Sequence, residues 1–210
     1  AAIELEKIFQ RQRIIDFNGI LMRAVTGLRD DDEPTDLALH WDYRIKHMLI
    51  DEFQDTSRSQ YHFFSLLTEG WQADDGNTFF AVGDPMQSIY RFRDADVSIF
   101  NNCREYGFGS IALTPLNLTA NFRSCKTLVQ WNNELFNDLL PAEGTSRLGA
   151  VKFSAATPIQ DDEAATQLAC KHFNEERLEI QAIVEQIEKL IAQDKSTSIG
   201  ILCRARNHLP

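Results

Sequence analysis

Apolar residues recur at helical spacing between residues 3 and 27, Ile8, Ile15, Ile20, Leu21 and Val25 among them. Gly27 and the polar run RDDDEPTD end that pattern and predict a loop. RIKHMLI then predicts a buried strand, which runs directly into two adjacent carboxylates, Asp51 and Glu52. In TSRSQYHFFSLLTEGW, Ser57 and Gln60 have the spacing of a capping box, and Tyr61, Phe64, Leu67 and Trp71 fall on one helical face. DDGN predicts a turn and TFFAVGD a second apolar strand, again closed by an acid, Asp84. Strand, helix and strand within about 35 residues predict a βαβ unit, with parallel strands and a right-handed crossover.

DVSIFNNCREYG predicts a further helix closed by Gly107. From about residue 116 the pattern starts afresh. SCKTLVQWNNELFNDLL predicts a helix, AVKFSA a strand, and EERLEIQAIVEQIEKLIAQ a long amphipathic helix that buries Leu178, Ile183, Ile187, Leu190 and Ile191. SIGILCR predicts a last buried strand. Two incomplete α/β units, joined near residue 115, are the architecture these elements imply. The chain opens inside a helical pattern and stops soon after a strand-like one, so it is expected to be a piece of a longer protein.

Composition narrows the picture only a little. With 210 residues, 43% hydrophobic and 25% charged, the chain has material for one large domain or two small ones. A net charge of -10 argues mildly against nucleic acid as the main partner, although a few arginines in a local groove can act inside an acidic molecule. The four cysteines form no CxxC pair, which suits reduced thiols in a cytosolic protein. No apolar run approaches the roughly 20 residues a bilayer requires, and no signal-peptide pattern opens the chain. The five histidines lack metal-ligand spacing, and no Ser/His/Asp or Cys/His arrangement is evident, which argues against zinc and against nucleophilic catalysis.

The chemistry concentrates in three stretches. Ligands of open parallel α/β sheets sit outside the carboxyl ends of the strands, so Asp51-Glu52 and Gly83-Asp84 address one edge. Asp51 can hold Mg²⁺ through its water shell, and Glu52 can orient and deprotonate a water. A bare Asp-Glu pair is usually just an acidic loop, but the full string IDEFQDT after a strand is far rarer. In VGDPMQSIYRFRDAD, Gly83 permits a sharp turn and Gln87 offers amide donors to a terminal phosphate. Tyr90 and Phe92 alternate with Arg91 and Arg93. If extended, they set rings on one side for base stacking and guanidinium groups on the other for phosphates. The plain alternative is a loop whose aromatics cover the core. In LNLTANFRS, Arg123 can reach a γ-phosphate and Phe122 can stack on a purine, although an isolated NFRS is more often a turn before a helix.

Together these strings resemble the UvrD/Rep-type superfamily 1 DNA helicases, and more closely their RecB/AddA-like branch. LIDEFQDTSRSQ resembles motif II, VGDPMQSIYRFRDAD motif III and LNLTANFRS motif IV. DFNGIL is similar to the segment before motif II, and SIGILCRAR to the strand after motif IV. The resemblance spans nearly the whole chain in the expected order. It implies RecA-like P-loop NTPase motor domains present as two incomplete halves: 1–115 from the first domain and 116–210 from the second. It implies ATP and Mg²⁺ as cofactors, with Asp51 as the metal carboxylate, Glu52 as the base and Gln87 as the γ-phosphate sensor. Phe122 would stack on adenine, Arg123 would be the arginine finger, and Tyr90, Phe92 and Arg93 would lie along single-stranded DNA. Phe92 stands where the UvrD branch usually has tryptophan, and Asp94 where many relatives have glycine.

A phosphate-cradling loop, G-x-x-x-x-G-K-S/T, is missing, since none of the ten glycines precedes a lysine. Motifs V and VI are missing as well. The expectation is therefore an inactive fragment of an ATP-dependent, 3′→5′ DNA helicase acting in repair or recombination in the bacterial cytosol. The parent could be the helicase subunit of an exonuclease V-like helicase-nuclease, bound to a partner subunit. The alternative is a non-catalytic helicase-like scaffold. A metal-dependent nuclease built on Asp51, Glu52, Asp55 and Asp84 is a third possibility.

Overall fold

Asp16 divides the first helical stretch. The structure, a computed structural model describing residues 2–31, 33–140, 150–161, 167–203 and 205, has α1 at Ala2–Gln12 and α2 at Phe17–Leu28 rather than one helix. Arg13 takes a positive φ of 53°, and the Asp16 side chain accepts from the Gly19 N–H at 2.7 Å, capping α2. The expected polar loop is an antiparallel hairpin, β1 (Arg29–Asp30) with β2 (Glu33–Pro34). A helix follows that the pattern did not suggest, α3 (Asp36–Arg44), capped by Thr35.

The chain divides into two units, residues 1–164 and 165–210. At the centre of the first lies the expected parallel pair, β3 (His47–Ile50) and β4 (Thr78–Ala81), in register from His47↔Thr78 to Ile50↔Ala81. Helix α4 (Arg58–Leu67) connects them, and its capping box between Ser57 and Gln60 is formed in both directions. The ladder runs on past the strands: Val82 N–H donates to the Ile50 carbonyl at 2.9 Å, and Phe53 N–H to the Val82 carbonyl at 2.9 Å.

Phe53, Ile99, Cys103 and Phe108 form the buried core, with Ile50, Tyr61, Phe64, Phe79 and Ala81 packed against it. Phe79 stacks on Phe108 with centroids 4.3 Å apart, and Phe53 meets both rings. Burying a phenylalanine contributes on the order of 2–3 kcal/mol, so Phe53 is a strong local anchor. The strands are covered on one face only, contrary to the expectation of buried strands. On the other face Leu49 is 71% exposed and Phe80 55%.

Helix α5 (Val97–Tyr106) begins at Asp96 and is closed by Gly107 at φ 90°, as expected. A second parallel pair joins β5 (Ala120–Cys125) to β6 (Thr157–Gln160), with α6 (Lys126–Leu139) between them in sequence. The expected strand AVKFSA is irregular, and pairing starts only at Thr157. At Ala156, the residue before that pairing, the Asn133 side chain takes the place of a strand neighbour. Its amide donates to the Ala156 carbonyl at 2.8 Å and accepts from the Ala156 N–H at 3.0 Å, occupying the bonds a strand neighbour would use.

The second unit contains α7 (Glu176–Gln193). Its apolar residues are less covered than expected: Leu178, Ile183 and Ile191 are exposed, while Ile187 and Leu190 are half-buried. Residues 198–203 form no strand, and Leu202 is fully exposed, because no described segment pairs with them. The remainder of the expected SIGILCRAR segment, Arg204 and Arg206, lies outside the described residues. No described helix is long and apolar enough to cross a membrane.

Candidate functional site

The acidic string after β3 separates its residues by environment. A 3-10 turn at Phe53–Asp55 drives Phe53 and Gln54 inward, each only 1% exposed, and leaves Asp51 and Glu52 at the surface. Glu52 itself sits in the left-handed region at φ 51°, ψ 39°. That conformation is costly for a residue with a Cβ and persists only where the surroundings impose it. Here the anchored Phe53 ring and the continued ladder do so. The Glu52 N–H also donates to Asp51 Oδ1 at 2.8 Å.

Gln54, to which the sequence pattern gave no role, is the hub. Its Nε2 donates to Glu52 Oε2 at 2.7 Å and to Asp55 Oδ2 at 3.2 Å, while its Oε1 accepts from the Asp84 N–H at 3.0 Å. Its backbone carbonyl accepts from the Ser88 hydroxyl at 3.2 Å. Asp84 in turn caps the 3-10 turn Pro85–Gln87: Oδ1 accepts from Met86 N–H at 2.9 Å and Oδ2 from Gln87 Nε2 at 2.8 Å. Glu52, Gln54, Asp84 and Gln87 thus form one continuous chain of hydrogen bonds across the ends of β3 and β4. No local signal marks Gln54, because its partner Asp84 lies 30 residues further along the chain.

Gly83 is needed for a different reason from the expected one. Its φ is not positive, but a Cβ there would collide with Gln54 Oε1 and lie 3.1 Å from Phe100 Cε2. The glycine makes room for the buried amide rather than for a sharp turn.

The segment after Gln87 also departs from expectation. Residues Arg91–Arg93 form a 3-10 turn, with Arg93 N–H donating to the Tyr90 carbonyl at 2.8 Å, so rings and guanidinium groups do not alternate along an extended strand. Instead Tyr90 and Phe92 meet at 5.9 Å and the Arg93 guanidinium lies over both rings, at 5.4 and 5.5 Å. All three are exposed, so an aromatic-cationic knob faces solvent. Asp94 follows in the left-handed region at φ 63°. The segment after Asp94 is tied back by an isolated bridge between Ser57 and Ala95, by the Asp96 N–H to the Thr56 carbonyl at 3.1 Å, and by the Arg58–Asp96 ion pair at 2.9 Å.

Phe122 and Arg123 lie on β5 and line an open groove of about 520 Å³ with Leu118, Thr119, Ala120, Asn121 and Ala156. The Asn121 side chain shapes this bend by accepting from the Arg123 and Ser124 N–H groups at 3.0 and 2.9 Å. Phe122 is 66% exposed, and Arg123 is exposed with no ion pair among the described residues. No described hydrogen bond or ion pair links this groove to the carboxylates. The structure therefore brings Asp51, Glu52 and Gln87 together, gathers Tyr90, Phe92 and Arg93 into a second group, and sets Phe122 with Arg123 in a third.

No described group of three or more His, Cys, Asp or Glu residues is arranged to hold a metal ion. The donor set fits a hard cation bound by a single carboxylate, with water and phosphate oxygens completing its shell, because Asp51 is exposed and Asp-Glu oxygens are hard donors.

The model of the UvrD/REP helicase N-terminal domain matches residues 1–106. The chain is 31% identical over 191 residues, 87% of its length, to an ATP-dependent helicase/nuclease subunit from Exiguobacterium sibiricum. Identity is 30% over 204 residues, 90% of the chain, to the protein of the same name from Staphylococcus saprophyticus. It is 37% over 133 residues, 62% of the chain, to that from Listeria welshimeri. The matches span 16%, 16% and 11% of those relatives' own lengths.

Proposed function

The chain belongs to the UvrD/REP helicase family, and from that premise we propose that it is part of the motor of an ATP-dependent DNA helicase that acts in DNA repair. The parent translocates 3′→5′ on single-stranded DNA and works as the helicase subunit of a helicase-nuclease in the bacterial cytosol. Residues 1–115 belong to the first RecA-like motor domain and residues 116–210 to the second. What carries the proposal is the hydrogen-bonded chain from Glu52 to Gln87, which ties the hydrolytic carboxylates to the segment ending in the Tyr90-Phe92-Arg93 knob.

Asp51 would hold Mg²⁺, which when bound would supply charge neutralisation for the phosphates. Glu52 orients the attacking water and takes its proton. Gln87 contacts the terminal phosphate, and Arg123 donates to the same group once the motor closes. Phe122 stacks on adenine. Tyr90 and Phe92 offer faces to unpaired bases, and Arg93 offers charge to the backbone.

ATP hydrolysis in the full-length protein tests this directly. Glu52→Gln should lower single-strand-stimulated turnover by at least about 10²-fold while nucleotide binding persists. The 210-residue chain, which has no phosphate-cradling loop, should show no appreciable turnover. Turnover by the short chain that disappears in Glu52→Gln would refute the assignment of the missing parts.

A further inference from the structure

We infer that Gln54 is a positioning residue that fixes the carboxylate of Glu52 and transmits its placement to the β4 end carrying Gln87. The inference rests on the function proposed above and deepens it.

The orientation of the Gln54 amide is set by its partners. Asp84 presents a backbone N–H, which can only donate, so Oε1 must face it. Nε2 then faces two carboxylates, and its two hydrogens match Glu52 Oε2 at 2.7 Å and Asp55 Oδ2 at 3.2 Å. A flipped amide would oppose donor to donor and acceptor to acceptor, so only one arrangement is possible. With the group 1% exposed, no water can substitute for a lost partner at low cost.

Two consequences follow for the site. One Glu52 oxygen is held by the buried amide, which aims an exposed residue whose left-handed backbone would otherwise leave its direction unspecified. The same amide grips the Asp84 backbone, and Asp84 holds Gln87 at 2.8 Å, so movement at either strand end is felt at the other. Ser88, bonded to the Gln54 carbonyl, adds a second tie two residues before the aromatic knob begins at Tyr90. Gly83 completes the arrangement, because a side chain there would occupy the place of Gln54 Oε1.

The test is ATP hydrolysis and DNA binding by the full-length protein in four forms: Gln54→Ala, Gln54→Glu, Gly83→Ala and the double variant Gln54→Ala with Gly83→Ala. Gln54→Ala should lower kcat by about 10²-fold, the scale for a misplaced catalytic group, with KM for ATP and Kd for oligo(dT) within about two-fold of wild type. Gly83→Ala should show the same split. The double variant should be no slower than either single one, because both remove the same interaction. Gln54→Glu keeps the shape and the acceptor but replaces the donating amide with a carboxylate that repels Glu52, so its kcat should fall as in Gln54→Ala, again with KM and Kd little changed. Should Gln54→Ala not fold, Gln54→Glu decides by the same split between kcat and KM. A Gln54→Ala or Gln54→Glu enzyme with wild-type kcat, or multiplicative losses in the double variant, would overturn the inference while leaving the helicase assignment standing. A wild-type protein without DNA-stimulated turnover would remove both.

Discussion

Asp94 holds a left-handed backbone at φ 63°, ψ 14°, immediately after the solvent-facing Tyr90-Phe92-Arg93 knob. Such a conformation costs a residue with a Cβ about 1–2 kcal/mol, which only glycine avoids. Asp94→Gly should therefore leave stability nearly unchanged, strain relief being offset by glycine's added unfolded-state entropy of about 0.5–1 kcal/mol. Asp94→Ala should be less stable than Asp94→Gly by about 1 kcal/mol in urea denaturation, because alanine keeps the strain without the local polar contacts that let Asp tolerate it. Both should bind oligo(dT) more tightly in fluorescence anisotropy, since each deletes a negative charge beside the proposed strand path. Equal stabilities of the two variants would show that the backbone at Asp94 is not strained. At this scale the exposed acids were legible in the sequence, because an apolar run ending in Asp51 and Glu52 marks a strand end. Gln54 was not, because its partner Asp84 comes from a strand 30 residues away and no local pattern encodes that contact. Gly83 was recognised, but for the wrong physical reason.

Among the elements, α5 offers the clearest handle, for Asp96 both caps it and pairs with Arg58. Burial pushes the Asp96 carboxyl upward, but hydrogen bonds from the Ser98 side chain, from Arg58 and from the Ser98 N–H, with the charge of Arg58, outweigh it and hold the group below its ordinary value. A depressed folded-state value means that this stabilisation is complete above the ordinary Asp value of about 3.9 and is lost as pH falls through the folded one. Asp96→Ala should cost about 1 kcal/mol at pH 7, chiefly as a lost cap, and the gap from wild type should narrow on acidification below about pH 4. Urea unfolding at stepped pH measures both; a gap independent of pH would contradict the linkage. The βαβ pair and the α4 capping box were readable because both are local. Helix α3 was hidden because Leu37, Leu39 and Trp41 recur every second residue, a spacing that points away from a helix, and only the Thr35 cap announces it. The alternation of rings and arginines at 90–93 misled in the same way, since local 3-10 hydrogen bonds decide that segment.

For the whole molecule, each of the described sheets has only two strands, so every strand is an edge. Parallel sheets normally have both faces covered, whereas Leu49, Phe80 and Val82 lie exposed on or just beyond the paired strands β3 and β4. The apolar pattern alone does not reveal this, because an apolar strand reads alike whether its second face is covered or bare; only the expectation of a piece of a longer protein points to uncovered surfaces and self-association. The consequence is adhesive behaviour: the 210-residue chain should exist in a monomer–dimer equilibrium whose weight-average mass rises with loading concentration in analytical ultracentrifugation. Ammonium sulfate should drive it toward the dimer and Leu49→Lys toward the monomer, as expected of contact between apolar surfaces rather than ion pairing. A mass that stays at 24.0 kDa across concentrations would show that this face does not associate in solution.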